Sequence, residues 1–311
     1  MPLLTELSYK ESFFREMKKS GFEKQIKLNE PLKNHTSYRI GGPVDFYYVP
    51  ENIDELKRIF SVAVKMKIPY KFIGNGTNLL IRDKGLKGIV MQLGKGFKNI
   101  TQSGRILKAG AGVSLPSISQ YAFKQNLSGL EFSINIPGTL GGAIINNASF
   151  RGNSISDIIR NITILTPENR IIKITKNNLK FRYRSCEFGV EKFIITKVEL
   201  ELAHGKKENI ISKMEKNKKF RLNKQPVNGY NAGSIFKNPA GFSAGALIDK
   251  AGAKGLRKGN AEVSNVHANF IINRGNASAN DILHLIREIE KRIEEKYRIH
   301  LEREIEIIGI E

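Results

Sequence analysis

The segment "IPYKFIGNGTNLLIRDKG", Ile68 to Gly85, limits the fold more than any other stretch of the chain. An apolar run, "IPYKFI", reads as a short buried strand that stops at Gly74. Before it, "ENIDELKRIFSVAVKMK" places Ile53, Leu56, Ile59, Phe60, Ala63 and Val64 on one helical face. After it, the glycine loop feeds a second apolar run, "NLLI", and not a helix. A Rossmann dinucleotide unit needs strand, loop and helix with the spacing G-x-G-x-x-G, and here Leu79 stands where the third glycine belongs. The Rossmann fingerprint is not met, and a glycine loop between apolar elements remains to be explained.

A second stretch of the same character is "GLEFSINIPGTLGGAIINNASFRG", Gly129 to Gly152. One such cluster reads as a tight turn. Two, each beside an apolar strand, suggest a ligand, because N–H groups freed of side-chain bulk can cradle a pyrophosphate. Thr77, Asn78 and Thr139 can add hydrogen bonds, so a dinucleotide held by two loops of one domain is the reading from the residues alone.

The rest of the chain mixes strand and helix. "NITIL" and "RIIKI", joined by "TPEN", read as a hairpin, and "KFIITKVELEL" as a further strand. A lysine-rich helix from Glu208 to about Leu222 reads as the boundary into a second domain. Beyond it come "NAGSIFKNP", a small-residue helix from Ser243 to Gly252, and a strand "HANFIIN". In "SANDILHLIREIEKRIEEKYR", Ser278 and Asp281 make a capping box, and Ile282, Leu285, Ile286, Ile289 and Ile293 form the buried stripe. A terminal strand, "LEREIEIIGIE", closes the chain. The fold class expected is α+β, with a domain at 1–205 and a smaller one at 206–311.

Charge and cysteine content narrow the function. The net charge of +21 invites a nucleic-acid reading, but the lysines are spread along 311 residues without a recognised module. Positive potential that attracts small polyanions such as nucleotides is the milder reading. The single cysteine, Cys186, fits a reducing compartment, and five scattered histidines offer no metal-ligand spacing, so no metal is expected. No apolar run reaches the roughly 18 residues of a membrane span. The start, "MPLLTELSYKESFF", is too charged for a secretory signal, so a cytoplasmic protein is expected.

Three segments carry candidate chemistry. "FRYRSCEF" sets Arg182 and Arg184 beside Tyr183, and a guanidinium matches a carboxylate with two parallel hydrogen bonds. "LEREIEII" puts Glu302, Glu304 and Glu306 on one face of a strand. In "NAGSIFKNP", Ser234 lies between small residues and the pair Lys237 and Asn238.

Taken in order, "HTSYRIGGP", "GNGTNLLIRDKGLKG", "NIPGTLGGAIINNA", "YRSCEF", "NAGSIFKNP", "AGALIDKAGAKGLRKGNAEVSNVHANFIIN" and "LEREIEIIG" resemble the UDP-N-acetylenolpyruvoylglucosamine reductase family over about Asn34 to Gly309. The resemblance implies a two-lobed FAD domain of the vanillyl-alcohol-oxidase type, followed by a domain that binds a UDP-sugar. It implies non-covalent FAD, NADPH as hydride donor, and reduction of an enolpyruvyl ether for peptidoglycan precursor synthesis. The FAD residues would be Gly74, Asn75, Gly76, Thr77 and Asn78 with Pro137, Gly138, Thr139, Gly141 and Gly142. The catalytic residues would be Arg184 on the substrate carboxylate, Ser234 as proton donor to carbon, and Glu304 on the enolate. Substrate contacts would come from Tyr183, Lys237, Asn238, Asn269 and either Arg221 or Lys224. A monomer without nucleic-acid or membrane partners is expected.

Two departures from the family pattern stand out. The family reads Y-R-x-S-x-F, whereas "YRSCEF" has Cys186 at the serine position. The interval from Arg184 to Ser234 also leaves no room for the tyrosine-bearing insertion of the longer subtype, so this is the shorter one. Two rivals remain: another flavoenzyme of the same FAD fold, such as an alcohol oxidase, and a basic nucleic-acid-binding protein. The first would consume oxygen with an alcohol, and the second would be colourless.

Overall fold

The computed structural model describes residues 6–190, 192–226 and 228–311. The reading of residues 1–14 as no secretory signal falls partly on residues 1–5, outside the described residues. The chain forms two compact units, one made of 1–28, 45–74 and 88–218 and the other of 29–44, 75–87 and 219–311.

The first unit has two apolar cores. One gathers around a five-stranded antiparallel sheet ordered Ile171–Thr175, Ile159–Leu165, Ile194–Glu201, Ile106–Gly110 and Ile100–Ser103. Its first two strands are the expected hairpin, with Leu165 opposite Ile171. Strand Ile194–Glu201 is buried over its first three residues and alternates from Lys197 on, close to its sequence pattern. The helix Leu115–Lys124 packs on this core, with Leu115, Ile118 and Ala122 buried.

The other core lies around the helix Ile53–Lys65. Asn52 caps it, its side chain accepting from Glu55 N at 2.9 Å. Leu56, Ile59, Phe60 and Ala63 are buried there, while Ile53 and Val64 only flank the core. Strand Tyr70–Ile73 pairs in parallel with Leu86–Gln92. It is an edge strand, which is why only Ile73 is buried where the sequence suggests a buried strand. The helix Glu6–Lys19 adds Phe13 and Met17 to this core.

In the second unit an antiparallel sheet of Arg257–Lys258, Ala261–Val263 and Ile271–Asn273 packs with the helices Ala244–Lys250 and Ala279–Tyr297. The capping box on the longer helix is present, with Ser278 Oγ accepting from Asp281 N and Asp281 Oδ2 from Ser278 N. The Asp83 carboxylate adds further caps by accepting from the N–H groups of Ala279 and Asn280. All five residues of the predicted stripe are buried.

Two strand expectations shrink. In "HANFIIN" only Ile271–Asn273 is strand, and in the terminal segment only Glu306–Ile308, which pairs in parallel with Leu79–Ile81. Glu302 and Glu304 therefore precede the strand and do not share a face of it with Glu306. The helix Lys207–Lys224 straddles the division between units and buries Ile210 and Met214. Among the described residues no helix is long and apolar enough to cross a membrane.

Candidate active site

In the first unit Gly74 lies against the second glycine loop. A Cβ on Gly74 would lie 2.6 Å from Thr139 Oγ1, so any larger residue there would collide with the second loop. Thr139 opens the helix Leu140–Ile145 and accepts from Gly142 N at 3.3 Å. Gly138 adopts φ +131°, a conformation that suits glycine alone. Gly141 passes close to Ala111, where a Cβ would sit 3.1 Å from the alanine's own. The N–H groups of Leu140 and Gly141 donate to Val113 and Ala111 carbonyls, so the cradle is less open than the sequence suggests. What could suit a pyrophosphate is the small-residue backbone at Gly74 and Gly138, which carries no side chain of its own.

Asn75 to Asn78 belong to the second unit. Gly76 has φ +61°, and a Cβ there would come within 2.2 Å of the His35 carbonyl oxygen, so glycine is required twice over. Ser37 ties this loop to the serine segment, its N–H donating to Gly76 O at 3.2 Å and its hydroxyl to Asn231 O at 2.7 Å. Asn78 turns its side chain to Glu304, donating from Nδ2 to the Glu304 carbonyl at 3.1 Å.

Arg184 sits at the turn of a tight hairpin in the first unit, Lys180–Arg182 against Ser185–Glu187. Its φ of +57° lies in the left-handed region. The guanidinium lies 5.7 Å from the Tyr183 ring centroid, and Nη1 donates to Ser149 Oγ at 3.3 Å. Asn147 Nδ2 donates to the Arg182 carbonyl at 3.0 Å and fastens the same turn. Neither Asn147 nor Ser149 is singled out by the sequence, although both lie in "NNASF". Tyr183 is about half-exposed, and burial pushes the Cys186 thiol up to about 12.

Ser234 and Glu304 belong to the second unit, where the structure brings their backbones together. Glu304 N donates to the Ile235 carbonyl at 2.7 Å, and Phe236 bridges to Arg303. Ser234 is half-buried, follows Gly233 at φ +80°, and its hydroxyl makes no hydrogen bond among the described residues. Ile235 and Phe236 are both buried in the core of this unit. Lys237 pairs with Glu302 through Nζ. Asn238 Oδ1 caps the next helix by accepting from Ala244 N at 2.9 Å. Asn269 is 3% exposed, and both atoms of its amide bind the Phe236 backbone. Of the two basic candidates on the helix Lys207–Lys224, Arg221 is partly buried, which holds its guanidinium below its usual value, and Lys224 is exposed.

Residues 44–175 match a family described as an FAD binding domain. Residues 225–308 match the C-terminal domain of UDP-N-acetylenolpyruvoylglucosamine reductase. The reductase of Syntrophomonas wolfei is 42% identical over 92% of this chain and 96% of its own. That of Bacillus subtilis is 40% identical over 92% and 94%. Among solved structures, the UDP-N-acetylenolpyruvylglucosamine reductase of Thermus caldophilus superposes with a TM-score of 0.79 at 36% identity, covering 92% of this chain and 98% of its own.

Proposed function

The chain belongs to the UDP-N-acetylenolpyruvoylglucosamine reductase family, and on that premise we propose how its own residues divide the work of the reaction. It is an FAD-containing, NADPH-dependent oxidoreductase of peptidoglycan precursor synthesis. When bound, FAD carries a hydride from NADPH to the far carbon of the substrate's enolpyruvyl double bond.

The backbone of Gly74, Gly138 and Thr139 would hold the FAD diphosphate, with Asn75, Gly76, Thr77, Asn78, Pro137, Gly141 and Gly142 as further contacts. Hydride addition leaves negative charge on the carbon beside the substrate carboxylate, spread into that carboxylate as an enolate. Arg184 would bind this carboxylate bidentately, its cation placed by Ser149 and Tyr183. Glu304, in its protonated form, would donate a hydrogen bond to the same enolate. Ser234 would then deliver a proton to carbon, a transfer typically worth about 10²–10⁴-fold. Lys237, Asn238 and Arg221 would meet the UDP diphosphate, with Lys224 further out. In a cytoplasmic monomer, residues 1–205 would hold FAD and residues 206–311 would supply the remaining contacts to the UDP-sugar.

The observation that carries the assignment is the serine segment. Its hydroxyl is uncommitted to any described residue, and its backbone is bonded directly to that of Glu304. The test is Ser234→Ala followed by anaerobic flavin absorbance. Bleaching by NADPH should persist, and reoxidation by the enolpyruvyl sugar nucleotide should fall at least a hundredfold. Equal loss of both half-reactions would remove Ser234 from the proton-donor role.

A further inference from the structure

Ser234 lies on an irregular stretch of chain. Two residues beyond it, Phe236 forms an isolated antiparallel bridge to Arg303. On one flank, Glu304 N donates to Ile235 O at 2.7 Å and Lys237 N to Glu302 O at 2.8 Å. On the other flank no strand pairs with this stretch among the described residues. There a single residue, Asn269, takes its place. Its carbonyl accepts from Ile235 N at 2.9 Å, its Oδ1 accepts from Phe236 N at 2.9 Å, and its Nδ2 donates to Phe236 O at 2.8 Å.

We propose that Asn269 is a positioning residue for Ser234, clamping the backbone two residues beyond it so that the hydroxyl meets the substrate carbon. This rests on the reading of Ser234 as proton donor.

Three features make the clamp specific. An Asn amide offers one acceptor and one donor from a single plane, which matches one peptide unit's N–H and C=O. Aspartate keeps the acceptor but loses the donor, and serine is too short to reach both. Asn269 is 3% exposed, so solvent does not replace a lost bond, and Phe236 would keep an unpaired buried group. The clamp is itself braced, since Asn269 N donates to His267 Nδ1 at 3.3 Å and that ring packs edge-on against Phe270. On the near side of Ser234, Gly233 at φ +80° gives the backbone latitude that no bulkier residue would. Loosening the Phe236 side would therefore let the serine swing. A displacement of about 1 Å at a reacting group costs up to about a hundredfold in rate.

The experiment uses the flavin-loaded enzyme in Asn269→Asp and Asn269→Ser forms beside Ser234→Ala. Bleaching by NADPH should stay within about twofold of the parent. The rate of reoxidation by the enolpyruvyl sugar nucleotide should fall about 10–100-fold, with KM and the calorimetric affinity for UDP-N-acetylmuramate held within about threefold. The new stereocentre should form as a mixture of configurations, because solvent then competes with a misplaced serine. A rise in KM with unchanged turnover would make Asn269 a substrate contact and overturn the proposal. Equal loss in both half-reactions, or no flavin-loaded protein from either variant, would reduce it to a packing role and overturn it too. If Ser234→Ala reoxidises normally, the proton-donor reading falls and the positioning role with it. If only Ser234→Ala is slow, the donor stands and the clamp is refuted.

Discussion

Arg184 holds its side chain from a backbone conformation that costs a residue with a Cβ on the order of 1–2 kcal/mol. At the turn of a two-stranded hairpin that conformation aims the guanidinium back toward Ser149, where Nη1 finds the serine Oγ. The sequence shows the arginine and its aromatic neighbour but not this support. Ser149 lies 35 positions upstream, whereas the motif draws attention to position 186. Arg184→Lys should therefore leave NADPH bleaching intact and slow reoxidation by the substrate about 10²–10³-fold, since an ammonium cannot form the fork. Near-normal turnover would rule out bidentate binding. Ser149→Ala should cost only about threefold to tenfold, the worth of one hydrogen bond. Cys186 itself is a bystander on this reading. With its thiol pushed up to about 12 by burial, the thiolate is scarce at pH 8, so iodoacetamide should label the native protein about a thousandfold more slowly than a free thiol. Fast, pH-independent labelling would contradict that burial.

Among the elements, those with a complete local signal were legible. The last long helix carries its cap, its stripe and its length in consecutive residues, and forms as read. The strands that came out short are those whose backbone partners lie far away. "HANF" bends because Asn269 serves the Phe236 backbone, and "LERE" is drawn to Ile235 and Lys237 before the parallel pairing at Glu306 begins. The small sheet Arg257–Lys258, Ala261–Val263, Ile271–Asn273 hides a further device. Glu262 is buried at its centre, its carboxylate held by Arg274 through Nε at 3.1 Å and Nη2 at 3.0 Å, and by Arg257 at 2.8 Å. The hydrogen bonds from Arg274, then its charge and that of Arg257, outweigh burial and hold Glu262 below the usual carboxylate range. A depressed carboxylate stabilises the fold above its unfolded pKa of about 4.3, and that contribution is lost as pH falls through the folded value. Glu262→Gln should therefore be less stable than the parent at pH 7, by about 2 kcal/mol of unfolding free energy in denaturant titration. The gap should persist down to about pH 5 and close under more acid conditions. A gap of constant size down to pH 3 would mean that the ion cluster is not its source.

At the scale of the whole molecule, the family was legible because seven motifs recur in one order over most of the chain. How the chain partitions was not. Segments 29–44 and 75–87 join 219–311 in one unit through contacts such as Tyr38 Oη donating to the Ile271 carbonyl, 233 positions away. No local pattern announces such a bond. The net charge of +21 is likewise a property of no single motif. Each of the two substrates carries several negative charges, so a broad positive potential should raise their encounter rate with the enzyme. Charges beyond the Debye length, about 10 Å at 0.1 M salt, are then screened. The values of kcat/KM for NADPH and for the enolpyruvyl sugar nucleotide should both fall severalfold between 0.05 and 0.5 M potassium chloride, while kcat at saturation changes little. Duplex DNA offers the counter-test, because a protein built to neutralise many phosphates would show a log–log salt slope approaching the number of contacts, about 6–10. A shallow slope for DNA alongside a salt-sensitive kcat/KM would assign the charge to small anionic substrates. A flat kcat/KM would leave the basic surface without a part in catalysis.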